Sequence, residues 1–358
     1  IVRLLQERGG QATEAERRAL ALYTGWGDTQ VRKYALDWAG RPTSALRDAM
    51  GLSEDAPTDG EAVPAIAAIR RSVLNAHYTD LPVVRAMWDI LLHLGLANLK
   101  APRILEPSVG VGGFLGCAPI DAADILPEHM TAVELDPLTA AVCRAIYPRC
   151  DVRTGSFQDV SAGLPPVFDV VVGNVPFGDY RVSDASGAVP EACQQQIHDY
   201  FVCRAVTMLR PGGVAVLITS KGTLDKESDT VRRWLSQRAE LVGAFRLPSD
   251  AFRANAGTEV TTDVLILRRF ATESVGINPE WLDTSPATFT DNHGGERTAT
   301  VNTYFISHPE HVLGEWCADK LSRWHAAGVR RRSGDPTAAE MLRAVIGRLP
   351  AGVLQRAK

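Results

Sequence analysis

Residues 103–116 read RILEPSVGVGGFLG: a short apolar run closed by an acid and a proline, then four glycines within seven residues. Arg103 to Leu105 predict a buried strand. The glycines predict a sharp turn into a helix, because glycine takes left-handed dihedrals freely and lets other groups come close to the backbone. Glycine-rich turns serve conformation alone in many α/β units. What sets this one apart is Glu106, which stands in the loop where a phosphate would be repelled. The loop therefore suits a cationic or zwitterionic ligand better than a dinucleotide phosphate.

Two further stretches extend this reading. TAVELDP at 131–137 closes a second predicted strand with an acid about twenty residues after the glycines, the usual acceptor for ribose hydroxyls. Glu134 is the candidate, and Asp136 reads as the cap of a helix starting near Pro137. FDVVVGNVPFGDY at 168–180 is a buried strand ending abruptly in Asn174, Val175, Pro176 and Phe177. The Asn174 side-chain carbonyl and the Val175 main-chain carbonyl can hold an exocyclic amine whose lone pair is delocalised, and Phe177 offers a stacking face. The same peptide also reads as a strand ending in an ordinary turn. From 73 to about 270, strand candidates (RIL, TAVE, VRT, FDVVVGN, VAVLIT, LVGAFRL, DVLILRR) alternate with helices such as 194–209 and 227–237. That alternation predicts an α/β fold with a mainly parallel sheet covered on both faces. Ligands of such sheets gather at the carboxyl ends of the strands, where Glu106, Glu134 and Asn174 would all lie.

EPSVGVGGFLG, ELDP and NVPF, in that order, resemble the N6-adenine DNA methyltransferases in which the cofactor loop precedes the catalytic loop, as in the modification subunits of type I restriction systems. NAHYTDLPVV at 75–84 resembles that family's start segment, a Tyr-Thr pair ahead of a helix. The resemblance implies a Rossmann-like class I methyltransferase fold with a mostly parallel seven-stranded sheet. It implies S-adenosylmethionine as cofactor, with Thr79 at its methionine end, Glu106, Pro107, Ser108, Gly110 and Gly112 in the loop, and Glu134 and Leu135 at the ribose. Ser156 and Phe157 would face the cofactor adenine. Asn174 to Phe177 would hold a flipped target adenine, with Phe252 as a further clamp and no metal. Read without the resemblance, Thr79 is a helix N-cap and Phe252 a core residue.

LYTGWGDTQVRKY at 22–34 and NTYFISHPEHVLGEW at 302–316 are similar to segments of a subgroup from phages, plasmids and defence islands, where the methylase is joined to, or encoded beside, a SNF2-type helicase. DNA and such defence-system subunits are the implied partners. The chain departs from the family pattern at Val175, where the family has proline, at Ser156, where it often has an acid, and at Asp80, where it has proline. Two other classes stay open: methylation of a protein glutamine or an RNA amino group, and a silent methylase fold acting as a binding scaffold.

Composition fits a globular enzyme. Of 358 residues, 45% are hydrophobic and 22% charged, so disorder is not the default. No apolar stretch is long enough to span a bilayer and no secretory leader is visible, which points to a cytoplasmic protein. Six cysteines without a Cys-x-x-Cys pair argue against structural metal and disulfides. The absence of a G-x-x-x-x-G-K-[ST] loop argues against a nucleotide-driven motor. Net charge is −4, yet cations concentrate after residue 320, among them Arg330, Arg331 and Arg332. They are candidates for the DNA backbone, or else a solvated surface. The expected organisation is a helical region at 1–72, the catalytic domain at 73–270, an irregular extension at 271–319 and a basic helical tail at 320–358. The non-methionine start at Ile1 suggests a piece of a longer chain.

Overall fold

A computed structural model describes residues 2–9, 11–23, 43–44, 47, 79–251, 260–273, 279–290, 295–318 and 327–356. Among the described residues the first helices are α1 (Val2–Arg8), α2 (Glu14–Ala21) and α3 (Leu81–His93). A seven-stranded sheet then forms the core: β1 (Ile104–Glu106), β2 (Met130–Glu134), β3 (Asp151–Thr154), β4 (Phe168–Asn174), β5 (Leu209–Ser220), β6 (Ala239–Leu247) and β7 (Thr262–Arg269). Its order is 3-2-1-4-5-7-6. β1 to β5 pair in parallel, while β7 runs antiparallel to both β5 and β6. All seven strands fall where the sequence predicts them.

The central strands are buried on both faces, which is why they read as continuous apolar runs. Val170, Val172, Val214, Val216 and Ile266 face one core with Met87, Trp88 and Leu91 of α3. Val171, Ala215, Leu217 and Leu265 face the other, with Tyr200, Phe201 and Cys203. Those last three belong to a helix spanning Ile197–Met208. No helix among the described residues is long and apolar enough to cross a membrane.

Two parts of the chain differ from expectation. The stretch read as an irregular extension contains an antiparallel hairpin, β8 (Thr284–Thr290) with β9 (Glu296–Asn302). Its strands are TSPATFT and ERTATVN, built on threonine with few apolar side chains, so the β-branched signal carried no hydrophobic alternation. The stretch read as a basic tail is, over 327–356, part of the domain. β11 (Ala327–Arg330) pairs with β10 (Glu315–Ala318). A capped helix at Ala338–Val345 buries Ala338, Ala339 and Leu342 against α3. Beyond it, Leu354 N–H donates to Leu94 O at 2.8 Å, and Arg356 forms a bidentate pair with the buried Asp169 at 3.1 and 2.9 Å.

Candidate active site

The carboxyl ends of β1, β2 and β4 lie side by side because the three strands are adjacent and parallel. Glu106 ends β1 and is 2% exposed. Its Oε2 is buried and meets no hydrogen-bond partner among the described residues. Burial, and then the nearby charge of Glu134, push its pKa well above the usual carboxylate range. A carboxylate left in this state costs free energy unless something supplies a positive charge or donors.

The loop after Glu106 is tied down at three points. Val109 N–H donates to Val133 O at 2.9 Å, Gly110 N–H to Glu134 Oε2 at 2.9 Å, and Ser108 Oγ to Asn174 O at 2.7 Å. The last bond joins the glycine loop to the Asn-Val-Pro-Phe loop. Gly110 and Gly112 have φ of 55° and 92°, the left-handed region open to glycine. For Gly112 the space is also spoken for, since a Cβ there would stand 2.3 Å from the Tyr147 ring. Its glycine is therefore required by close packing against Tyr147, which follows the helix Pro137–Ile146.

Glu134 ends β2. Its Oε1 accepts from Asp136 N–H at 2.8 Å while Oε2 holds Gly110, so its two oxygens brace the loop and the next helix. Burial pushes its pKa up to about 7 against the pull of those N–H donors. Leu135 follows it with 46% of its surface exposed, an apolar face beside the acid. Asp136 caps the helix Pro137–Ile146, accepting from Thr139 N–H and Oγ1 at 2.8 and 2.7 Å.

On the other loop, Val175 is buried and donates its N–H to Ile218 O at 3.0 Å, a tie to β5 that a proline at this position could not make. Phe177 is half-buried and packs against both cores. Behind this loop sit His198 and Asp199, buried in the first turn of the helix Ile197–Met208. The Asp199 carboxylate pairs with Lys226. Burial holds the His198 pKa below its ordinary value, so its ring is neutral near pH 7. Sequence reading did not find this pair, since a histidine and an acid in an otherwise apolar helix carry no motif.

Several predicted residues stand elsewhere or do other work. Asp80, and not Thr79, occupies the N-cap of α3, although its side chain makes no capping bond. Ser156 caps a helix at Phe157–Ala162. Phe157 is 2% exposed, with its ring 4.9 Å from Phe201 and 6.4 Å from Tyr200, an aromatic core cluster that leaves almost no surface for a ligand. Arg331 is held by Asp250 (2.6 Å) and Arg332 by Glu315, so neither is an uncompensated cation; Arg330 is exposed at the end of β11. Phe252 and Tyr78 lie outside the described residues. A cavity of about 700 Å³ opens near Glu240, Trp281, Tyr304 and His308, at the amino end of β6 and away from both loops.

The NTYFISHPEHVLGEW segment frames a different feature. Arg246 on β6 is fully buried and meets Asp263 at 2.8 and 2.9 Å and Asp225 at 2.8 and 2.9 Å. Its guanidinium lies 4.2 Å from the Phe305 ring and 5.5 Å from that of Trp316. Burial works against its charge, but the two aspartates outweigh it and hold the pKa above the ordinary arginine value. Asn302 completes the frame, its amide donating to Leu224 O and Trp281 O, both at 2.9 Å.

The strand order 3-2-1-4-5-7-6 with an antiparallel seventh strand, helices on both faces and an acid at the end of β1 and of β2 is the Rossmann-like fold of class I S-adenosylmethionine-dependent methyltransferases. No family model matches the chain. It is 30% identical over 202 residues to the defense against restriction protein B of Escherichia phage P1, covering 56% of this chain and 8% of that protein. It is 25% identical over 186 residues to the methylase subunit of type I restriction enzyme EcoEI of Escherichia coli, covering 46% of this chain and 38% of the subunit. The chain thus spans well under half the length of either relative. Among solved structures, a methyltransferase subunit of a type I restriction-modification system from Streptococcus thermophilus superposes with a TM-score of 0.47 at 18% identity, over 63% of this chain and 52% of that one.

Proposed function

We propose that this chain transfers a methyl group from S-adenosylmethionine to the exocyclic amine of a flipped adenine in DNA, within a restriction-modification or phage-defence setting. The observation that carries the reading is the Ser108–Asn174 bond, which sets the glycine loop and the Asn-Val-Pro-Phe loop against each other at the strand ends. The orphaned Glu106 carboxylate beside it suits a ligand that brings an ammonium and a sulfonium. Glu134 can accept from ribose hydroxyls, and exposed Leu135 offers a face to the adenine ring. The relatives' names, a defense against restriction protein and a methylase subunit of a restriction enzyme, agree with a methylase in a restriction setting.

S-adenosylmethionine supplies an electrophilic methyl group when bound; the rest falls to the protein. A paired adenine directs N6 at its partner base, so the base must leave the stack, at a cost of a few kcal/mol. Phe177 offers a stacking surface against that cost. The Asn174 side-chain oxygen and the Val175 carbonyl accept from the amine and favour the geometry in which its lone pair is available. No general base is needed before transfer, because the amine becomes acidic only as it is alkylated. DNA contacts would come from elsewhere than Arg331 and Arg332, whose charges are already met. A SNF2-type helicase or other defence subunits are the proposed partners.

Incubation with methyl-labelled cofactor and unmethylated duplex DNA, followed by nucleoside analysis, tests the reading. Label in N6-methyladenine is expected, and Asn174→Ala should reduce it ~100-fold or more while changing cofactor affinity little, since the contact acts mainly in the transition state. Label appearing only on RNA or protein would move the function to those substrates. No transfer to any of them would leave a binding scaffold.

A further inference from the structure

The amino-terminal helices reach the cofactor end of the sheet. α2 is a capped helix, with Thr13 and Glu16 forming a reciprocal capping box. It packs against the helix Pro137–Ile146, the one that begins directly after Glu134 and Asp136. Tyr23 follows α2 by two residues, its N–H donating to Leu20 O at 2.9 Å. Its side chain turns inward: the hydroxyl is buried beside Thr139 and makes no hydrogen bond of normal geometry among the described residues. The neighbouring Thr139 Oγ1 gives its own proton to Asp136 Oδ2 at 2.7 Å, so toward Tyr23 it can act only as an acceptor.

A buried phenol O–H without a partner costs about 1–3 kcal/mol. At this end of the sheet the Tyr23 hydroxyl is joined by Glu106 Oε2 and Asp136 Oδ1, which are also buried without a hydrogen-bond partner among the described residues. The other two are carboxylate oxygens, which can only accept when ionised. A ribose diol needs both kinds of partner, since each hydroxyl donates one hydrogen bond and can accept others. Glu134 supplies an acceptor, and the Tyr23 hydroxyl supplies a side-chain donor close by. Burial raises the Tyr23 pKa to about 12, helped by the nearby charges of Asp136 and Glu134, so its proton stays in place at any working pH.

From this placement we propose that Tyr23 closes the ribose side of the cofactor site, donating its hydroxyl hydrogen to a ribose oxygen whose own proton goes to Glu134. The inference rests on the S-adenosylmethionine reading above and extends the site to the amino-terminal helices. The segment α2–Tyr23 then belongs to the ligand pocket, and is not merely a helical prefix.

Calorimetry with S-adenosylhomocysteine tests it, using the full chain and Tyr23→Phe, which keeps the ring packed and removes one donor. Affinity should fall roughly 3- to 10-fold, as expected for one hydrogen bond. The 2′-deoxy and 3′-deoxy forms of the same ligand separate binding from packing. Wild type should lose affinity for the form lacking the bonded hydroxyl, and for that form the difference between wild type and Tyr23→Phe should vanish. Equal affinity of the two proteins for S-adenosylhomocysteine overturns the proposal, as does a Tyr23→Phe deficit that persists with both deoxy forms. If wild type binds no S-adenosylhomocysteine at all, the cofactor reading fails first and takes this inference with it.

Discussion

Arg246 and Glu106 are both buried charges near the carboxyl edge of one sheet, and the chain treats them in opposite ways. Arg246 is paired bidentately with two aspartates and flanked by two aromatic rings. Glu106 keeps one oxygen without any partner among the described residues. A buried charge satisfied from within specifies packing, whereas one left open specifies what must arrive from outside. The contrast is one the proposed cofactor reading would explain, with Arg246 part of the scaffold and Glu106 part of the site.

The sharpest way to break the comparison is to remove each charge. Arg246→Met strands Asp263 and Asp225 in the interior and should cost about 3–5 kcal/mol of stability by urea denaturation. Adding Asp263→Leu should recover part of it. A variant as stable as wild type would show that the network is not a structural element.

Glu106→Gln should behave in the reverse manner. Fold stability should hold or rise slightly, because an uncompensated acid is replaced by a neutral amide of the same shape. S-adenosylhomocysteine affinity should drop ~10- to 100-fold, matching about 1.5–3 kcal/mol for a hydrogen bond to a charged group. Destabilisation as large as that of Arg246→Met would erase the distinction.

The last test is a pH dependence. Glu134 has its folded pKa raised to about 7 from an ordinary value of 4.5. Below 4.5 it is protonated folded and unfolded alike, and its contribution is fully present. As pH climbs from there to about 7, the unfolded chain releases the proton while the folded one retains it, so stability falls across that window. Thermal midpoints of Glu134→Gln should show a shallower decline than wild type between pH 4.5 and 7. Identical curves would mean that another group dominates the window.

How much of this was legible in the sequence follows from how far apart the interacting groups lie. Strands such as FDVVVGN and DVLILRR announced themselves because both faces are buried. Glu106, Glu134 and Asn174 could be placed because each ends a strand. The hairpin at 284–302 was hidden by threonines that look polar one at a time. The carboxy-terminal arginines read as a free basic tail because their partners are remote: Arg356 meets Asp169 and Arg343 meets Asp89, 187 and 254 residues away. Phe157 matches a motif position, and its ring lies in a core cluster with Phe201 and Tyr200 that its sequence neighbours do not announce. Tyr23 was quoted within LYTGWG, yet nothing in that string foretells that its hydroxyl ends beside Thr139.

The bond from Ser108 Oγ to Asn174 O ties the two loops together at their backbone. Two ligands that each settle against their own loop would share that backbone, and whichever arrives first stiffens it for the other. Thermodynamic reciprocity then requires that a ligand at the glycine loop raise affinity at the Asn-Val-Pro-Phe loop by the same factor as the converse. In the proposed reading, a hydroxyl on one serine side chain would thus give the two sites a route by which filling one alters affinity at the other.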